Sequence, residues 1–195
     1  MNRYFIVYKP YNMISQFVSP YEQRKLGELD FDFPQGTAAV GRLDNESEGL
    51  LILTTDKTLT HRLLNPEKKH TRGYMVQVEK IVEEKTLEKL RSGIDILIKG
   101  QNRLYTTLPC TVNLILKPKR LPEREKSLGE NLPQSWLEFI LTEGKNRQIR
   151  KMCKAVRHKC RRLIRTKIED LELGNMQPGE VREIEQEKLF KLLKL

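Results

Sequence analysis

The chain is 195 residues long and strongly basic. It carries 36 lysines and arginines against 26 aspartates and glutamates, which gives a formal net charge of +10. Such a surplus favours a polyanionic partner, with nucleic acid as the first candidate and an acidic membrane surface as the second. No apolar run approaches the roughly 20 residues that span a bilayer, and the start of the sequence has no signal-peptide core. We therefore expect a cytoplasmic protein that binds nucleic acid.

The cysteine content argues against a disulfide framework. Three cysteines are too few and too irregularly spaced for one, and an odd count fits a reducing compartment. Cys153, Cys160 and His158 could be imagined as metal ligands, but no close Cys-x-x-Cys pair occurs and a fourth ligand is not apparent. The sequence also lacks a phosphate-binding glycine loop and the Ser-His-Asp spacing of hydrolases. We expect neither a metal nor a cofactor.

The first half of the chain predicts strands alternating with short helices. An alternating pattern indicates a strand over residues 3–9, which Pro10 ends, and residues 11–37 are irregular and rich in turns. Strands at 50–54 and 74–78 follow. Each is succeeded by a helix, the first capped by Asp56 and ending near Pro66, the second opening at Glu84 and ending at Gly93.

The second half predicts further strands around one basic helix. Residues 94–98 and 111–116 have strand character and are predicted to pair as neighbours, with a polar turn at 99–102 between them. A charged stretch at 117–134, which contains three prolines, predicts a surface excursion. The remaining elements are a strand at 135–142, a helix at 144–156 with a buried stripe, strands at 163–168 and 181–184, and a closing helix at 186–195.

The most specific signal precedes the strand at 50–54. Two glycines permit a sharp loop that presents Asp44, while the apolar run that follows anchors the loop in a sheet. An isolated aspartate near glycines would most often cap a turn. The longer string from Gly41 to Asp56, with Asp44, Ser47 and Gly49, is far more specific. It resembles the catalytic motif of the pseudouridine synthases that act on ribosomal RNA.

Two further motifs extend this resemblance in the expected order. The string from Glu143 to Met152 resembles the family's third motif, whose arginine pairs with the catalytic aspartate. The resemblance makes Arg150 the candidate partner of Asp44, with Arg42 as the alternative. A cation beside a carboxylate favours its ionised form, which the chemistry of this family requires. Lys145 and Arg147, near the predicted helix start, are assigned to RNA phosphate contact.

Three other positions match the family less specifically. Tyr74 aligns with the active-site tyrosine, whose ring stacks on the extruded base, although this chain has Arg72 and Gly73 before it where Lys-x is usual. Ile149 resembles the apolar floor of the uracil pocket, and a buried helix position explains it equally well. Lys9 belongs to the Lys-Pro pair that ends the first strand of the family, where it either contacts RNA or only ends the strand.

The resemblance implies an α+β fold with a mixed, mostly antiparallel sheet flanked by helices and an active-site cleft between two halves. Many family members precede this domain with a small S4-type RNA-binding module. Here we expect one catalytic domain over residues 1–195, acting as a monomer. The resemblance also implies that Asp44 attacks a uridine, at the sugar or by removing a sugar proton, so that the base detaches and rejoins through C5.

The implied substrate is ribosomal RNA, with the 23S RNA of the large subunit favoured. Two other classes of function stay open. One is a non-catalytic RNA-binding or ribosome-assembly protein with the same fold. The other is a hydrolytic glycosylase, which would release free uracil.

Overall fold

The computed structural model describes residues 1–98, 103–124, 129 and 131–195, which form two compact units. Unit 1 comprises Met1–His70 and Ile164–Leu195, and unit 2 comprises Thr71–Leu163. The strands, numbered in chain order, are β1 (Tyr4–Lys9), β2 (Ala38–Val40), β3 (Glu48–Thr54), β4 (Arg72–Glu79), β5 (Asp95–Ile98), β6 (Arg103–Thr106), β7 (Thr111–Ile115), β8 (Gln134–Leu141), β9 (Cys160–Ile168), β10 (Leu171–Glu172) and β11 (Val181–Glu183). The α-helices are α1 (Leu59–Leu64), α2 (Glu84–Ser92), α3 (Gln148–Ala155) and α4 (Gln186–Leu193), and short 3-10 helices lie at Leu26–Glu28 and Pro66–Lys68.

The sheet of unit 1 is built around β3, all of whose residues are buried. β1 pairs antiparallel with β3 on one side and with β11 on the other. The second edge of β3 is shared, because β2 pairs antiparallel with residues 52–54 and β9 pairs parallel with residues 48 and 49. Alternate residues of β1 and β3 bury the core of this unit, with contributions from the segment that follows β1: Phe5, Val7, Met13, Leu26, Leu29, Leu51 and Leu53.

Unit 2 packs two helices on an antiparallel sheet. β8 pairs with β4 and with β7, and β5 pairs with β6 as a hairpin. The side chains on one face of this sheet form a core with the apolar stripes of α2 and α3, which include Leu87 and Leu90 of α2 and Ile149, Met152 and Cys153 of α3. The sequence period of α3 therefore predicted its buried face, apart from Val156, which is only partly buried.

The predicted fold class is confirmed, since the sheet is mixed, mostly antiparallel and flanked by helices. One strand pairing was wrong. The strand at 95–98 pairs with β6, which the pattern did not predict, while β7 pairs with β8. The predicted turn at 99–102 lies outside the described residues, as does part of the excursion at 117–134. The short strands β2 and β10 were also not predicted.

Two helices begin later than the sequence indicates. α1 begins at Leu59, because the Asp56 carboxylate accepts hydrogen bonds from the N–H and the hydroxyl of Thr58 and forms a turn ahead of the helix. α3 begins at Gln148, because Arg147 has a left-handed backbone with a φ of +53° that no helical residue adopts. Lys145 and Arg147 thus lie in a loop before α3.

Candidate active site

Asp44 lies in the connection between β2 and β3, in unit 1. We call residues 41–47 the Asp44 loop. Asp44 itself is half-buried, and its carbonyl accepts a hydrogen bond from the N–H of Ser47 at 3.0 Å, which closes a turn. The preceding Leu43 is buried. The loop is therefore a tight structure anchored at both ends in the sheet, and it presents one carboxylate in a fixed place.

Lys9 supports this loop from within the protein. Its side chain is fully buried, and Nζ donates to the carbonyls of Pro10 at 2.8 Å, Met13 at 2.5 Å and Asn45 at 3.4 Å. Burial lowers the pKa of Lys9 to about 7, and the negative charges of Glu48 and Asp44 oppose that shift. Lys9 thus joins the end of β1 to the Asp44 loop, and its burial disfavours the direct RNA contact predicted for it.

Gly49 is required where the loop enters β3. Its φ is +101°, and a Cβ atom there would lie 2.3 Å from the carbonyl oxygen of Arg165 and 2.8 Å from its backbone nitrogen. This close approach lets the start of β3 pair with β9. The buried Arg165 side chain also donates from Nε to the carbonyl of Leu50 at 2.7 Å. The start of β3 is thereby tied to β9 through backbone pairing and through the Arg165 side chain.

Arg42 is the other predicted site residue of unit 1, together with Lys9 and Asp44. It lies two positions before Asp44, and its side chain is exposed. An exposed guanidinium on the same tight loop is available to a phosphate or to a carboxylate.

The predicted base-contacting residues lie in unit 2. Tyr74 is a half-buried residue of β4 and packs against the hydrophobic core of the unit, to which Ile149 of α3 also belongs. Only 4% of the Ile149 side chain is exposed. Core packing accounts for most of the surface of Ile149, while Tyr74 keeps part of its ring accessible.

Glu143 organises the segment that joins β8 to α3. We call residues 142–147 the basic loop. The Glu143 carboxylate accepts hydrogen bonds from the Tyr105 hydroxyl at 2.5 Å, the Leu108 N–H at 2.9 Å and the Gln148 side-chain amide at 2.7 Å. The Gln148 amide oxygen accepts in turn from the Lys145 N–H at 2.9 Å. The hydrogen bond to Glu143, followed by burial, raises the pKa of Tyr105 to about 12.

Three basic residues, Lys145, Arg147 and Arg150, lie in or next to the basic loop. Lys145 and Arg147 are exposed, and the Lys145 ammonium lies 4.6 Å from the centre of the Tyr105 ring, a cation–π distance. Arg150, on the first turn of α3, is half-buried, and its Nη1 lies 3.7 Å from the sulfur of Cys160. The basic loop therefore offers exposed charge, whereas Arg150 is partly enclosed by protein.

The structure groups the predicted residues by unit. Lys9, Arg42 and Asp44 belong to unit 1, and Tyr74, Lys145, Arg147, Ile149 and Arg150 belong to unit 2. The pairing of Asp44 with Arg150 joins residues of different units and stays a prediction. Sequence reasoning missed Tyr105 and the roles of Glu143 and Gln148. The last two lie inside the third motif, which was the available signal for them.

Metal and membrane functions find no support in the described part of the chain. Within residues 1–98, 103–124, 129 and 131–195, no three His, Cys, Asp or Glu side chains are grouped so that they could hold a metal ion. No helix among these residues has the length and apolar character needed to cross a membrane.

Comparison with known proteins identifies the family of this chain. A family model described as RNA pseudouridylate synthase matches residues 3–155. The chain is 36% identical over 189 residues to the ribosomal large subunit pseudouridine synthase E of Vibrio parahaemolyticus, covering 94% of this chain and 75% of the relative. It is 38% identical over 175 residues to the protein of the same name from Xanthomonas axonopodis pv. citri, covering 87% of each.

A solved structure supports the same relationship. A crystal structure of a pseudouridylate synthase matches with a TM-score of 0.77 at 26% identity, covering 98% of this chain and 74% of that chain. A resemblance to ribosomal large subunit pseudouridine synthase E, predicted from the sequence, is confirmed by the named relatives. The chain therefore belongs to the RNA pseudouridylate synthase family and is an enzyme that isomerises uridine to pseudouridine.

Proposed function

We propose that this enzyme converts one uridine of large-subunit ribosomal RNA, the 23S RNA, to pseudouridine. The names of the relatives from Vibrio and Xanthomonas support this substrate. The formal net charge of +10 supports a polyanionic partner of this kind. In this proposal the enzyme acts in the cytoplasm as a monomer. It needs no cofactor, because the bond that breaks and the bond that forms belong to the same nucleotide.

Asp44 opens the reaction in this proposal. Its ionised carboxylate attacks the target uridine, at the sugar or by removing a sugar proton, and the N1 glycosidic bond breaks. The freed uracil turns and C5 bonds to the sugar, while the bond from Asp44 to the sugar breaks or, in the other route, Asp44 returns the sugar proton. C5 then loses its proton and N1 gains one. Asp44 is half-buried, and Arg150 is the cationic partner proposed for its carboxylate.

Tyr74 offsets the cost of extracting the base. Its half-buried ring is available for stacking on the extruded uracil. Stacking of a base on an aromatic ring is worth about 1–3 kcal/mol, which is comparable to the few kcal/mol needed to flip a nucleotide out of a helix. Ile149 then forms part of the apolar surface beneath the base.

Lys145, Arg147 and Arg42 hold the RNA backbone. All three side chains are exposed, and Lys145 and Arg147 lie on a loop that Glu143 and Gln148 support. Exposed cations of this kind contribute affinity that depends on salt and carries no sequence information. The choice of uridine must therefore come from other contacts.

The observation that carries the proposal is the Asp44 loop, which holds one half-buried carboxylate in a turn supported by a buried lysine. The test uses ribosomal RNA labelled with tritium at uridine C5, prepared from cells that lack this protein. Wild type and Asp44→Asn are compared at equal RNA binding, on naked RNA and on ribosomal particles. We expect tritium release by the wild type alone, without free uracil.

Three other outcomes would contradict the proposal. Tritium release by Asp44→Asn would show that the Asp44 carboxylate is not needed for the reaction. Free uracil in the product would indicate a hydrolytic glycosylase. Release from neither naked RNA nor particles would favour an assembly protein that binds RNA without modifying it.

A further inference from the structure

Ser15 holds the residue that precedes Asp44 through two hydrogen bonds. Its hydroxyl donates to the carbonyl of Leu43 at 2.9 Å and accepts from the N–H of the same residue at 3.0 Å. Both residues are buried, Ser15 with 5% and Leu43 with 7% of their surface exposed. One side chain thus satisfies both the N–H and the carbonyl of Leu43. Buried backbone groups need such partners, because leaving them without a hydrogen bond is costly.

The other side of Asp44 is held from the same segment. Lys9 donates to the carbonyl of Asn45, and the Asn45 side chain donates to the Asn12 side chain at 3.0 Å. The carbonyl of Asp44 accepts from Ser47 within the loop. Residues 9–15 therefore fix the backbone before and after Asp44, so the direction of its carboxylate depends on residues outside the motif.

Ser15 is itself fixed on both sides. The N–H of Ile14 donates to the carbonyl of Arg24 at 2.9 Å, and the N–H of Leu26 donates to the carbonyl of Gln16 at 3.0 Å. Leu26 is fully buried in the core of unit 1. The hydroxyl of Ser15 is therefore aimed at Leu43 by a segment that is anchored in the core.

We propose that Ser15 is a positioning residue for Asp44: its hydroxyl holds the backbone of Leu43, and through it the angle at which the Asp44 carboxylate meets the target nucleotide. This inference rests on the proposed role of Asp44. Ser15 touches neither the substrate nor the reacting atoms. Small errors in placing a reacting group reduce a rate steeply, by about 100-fold for a displacement of about 1 Å.

Ser135 provides a matched control in unit 2. Its hydroxyl is also buried, accepts from the N–H of Val82 at 2.9 Å and donates to the carbonyl of Lys80 at 3.2 Å. Ser15→Ala and Ser135→Ala therefore remove the same chemical group from the same kind of double hydrogen bond. Of the two serines, only Ser15 is hydrogen-bonded to the residue that precedes Asp44.

The experiment measures kcat and KM for tritium release, the dissociation constant for RNA, and the melting temperature of wild type, Ser15→Ala, Ser135→Ala and Ser15→Thr. All are assayed well below their melting temperatures. We expect Ser15→Ala to lower kcat by roughly 10- to 100-fold with KM and RNA affinity within twofold of wild type. Ser135→Ala is expected to keep kcat within twofold despite a similar fall in melting temperature, and Ser15→Thr to recover most of the loss.

The inference is overturned if folded Ser15→Ala keeps the kcat of the wild type, or if Ser135→Ala loses kcat to the same extent. Failure of Ser15→Thr to recover activity while its melting temperature equals that of the wild type would also overturn it. An inactive wild type, or an active Asp44→Asn, would instead contradict the proposed function. The two failures are therefore distinguishable in one set of assays.

Discussion

The Asp44 loop and the basic loop are supported in different ways. Lys9 and Ser15 hold the backbone of the Asp44 loop through buried hydrogen bonds to carbonyls and to an N–H. The basic loop is held mainly through the Glu143 and Gln148 side chains, and its cations are exposed. On the roles proposed above, the carboxylate that forms or breaks bonds is held by buried hydrogen bonds, whereas the cations that bind phosphate are exposed.

This contrast predicts that substitutions around the Asp44 loop cost stability, while substitutions in the basic loop cost RNA affinity. The largest effect is expected at Gly49. In Gly49→Ala the new Cβ would lie 2.3 Å from the carbonyl oxygen of Arg165, at a residue whose φ is positive, so the backbone of β3 or of β9 must move. We expect a loss of at least about 4 kcal/mol in the free energy of unfolding, measured by urea denaturation.

Gly36→Ala is the control for the conformational part of that loss. Gly36 also has a positive φ, of +84°, but nothing lies within 4 Å of its Cβ position. Its substitution should cost only about 1–2 kcal/mol. Equal losses for the two variants would show that the close approach of Gly49 to β9 contributes nothing.

Substitution of Lys9 is expected to lower the free energy of unfolding by less than Gly49→Ala does, and by an amount that depends on pH. Lys9→Met removes the donor to three carbonyls and a positive charge near Glu48, and we expect a loss of about 3 kcal/mol at pH 7. Burial lowers the pKa of Lys9 to about 7 in the folded protein, against about 10.5 when unfolded. Between these values the unfolded chain binds the extra proton, so the stability of the wild type rises with pH.

The variant lacks this titration, so the stability gap between wild type and Lys9→Met should widen from pH 7 to pH 10. The increase is at most about 1.4 kcal/mol per pH unit. Denaturation of both proteins across that range gives the difference directly. Parallel pH profiles would indicate that the three carbonyls keep Lys9 charged despite its burial.

The smallest effect on stability is expected in the basic loop. The double variant Lys145→Gln/Arg147→Gln removes two exposed charges and one cation–π contact, so the free energy of unfolding should fall by about 1 kcal/mol at most. RNA affinity should fall, and the slope of its logarithm against that of salt concentration should decrease by about 2, measured by filter binding. At saturating RNA, kcat should stay near that of the wild type.

A charge-matched control lies on α4. Lys188→Gln/Lys191→Gln removes the same net charge from two exposed positions and should leave the salt slope unchanged. A similar loss of slope in both double variants would mean that overall charge, rather than the basic loop, sets RNA affinity.

The sequence predicted the strands and helices that are long enough to show a clear apolar pattern. β1 and the buried face of α3 follow from regular apolar spacing, β3 follows from a continuous apolar run, and the three motifs named the candidate residues. β2 was missed because three residues, two of them alanine, carry no period. The late start of α3 reflects the left-handed backbone of Arg147, which tertiary contacts impose on a residue that sequence rules place in a helix.

The site was less predictable than the motifs. A lysine at the end of a strand is usually exposed, so nothing in the sequence distinguished the fully buried Lys9 from a surface charge. Ser15 lies in an irregular segment, where a single serine has many ordinary roles. Its importance appears only when the fold brings it to Leu43, 28 residues further along the chain.

The short sequence distance of these contacts has a consequence for the order of folding. The bonds from Ser15 and Lys9 to the Asp44 loop join residues 28 and 36 positions apart, whereas β1 meets β11 by pairing Phe5 with Glu183. Closing a shorter loop loses less chain entropy. The hydrogen bonds from Ser15 and Lys9 to the Asp44 loop thus lie within the first 54 residues, and during synthesis they can form before the ribosome has made β9, which pairs with the start of β3, or β11, which pairs with β1.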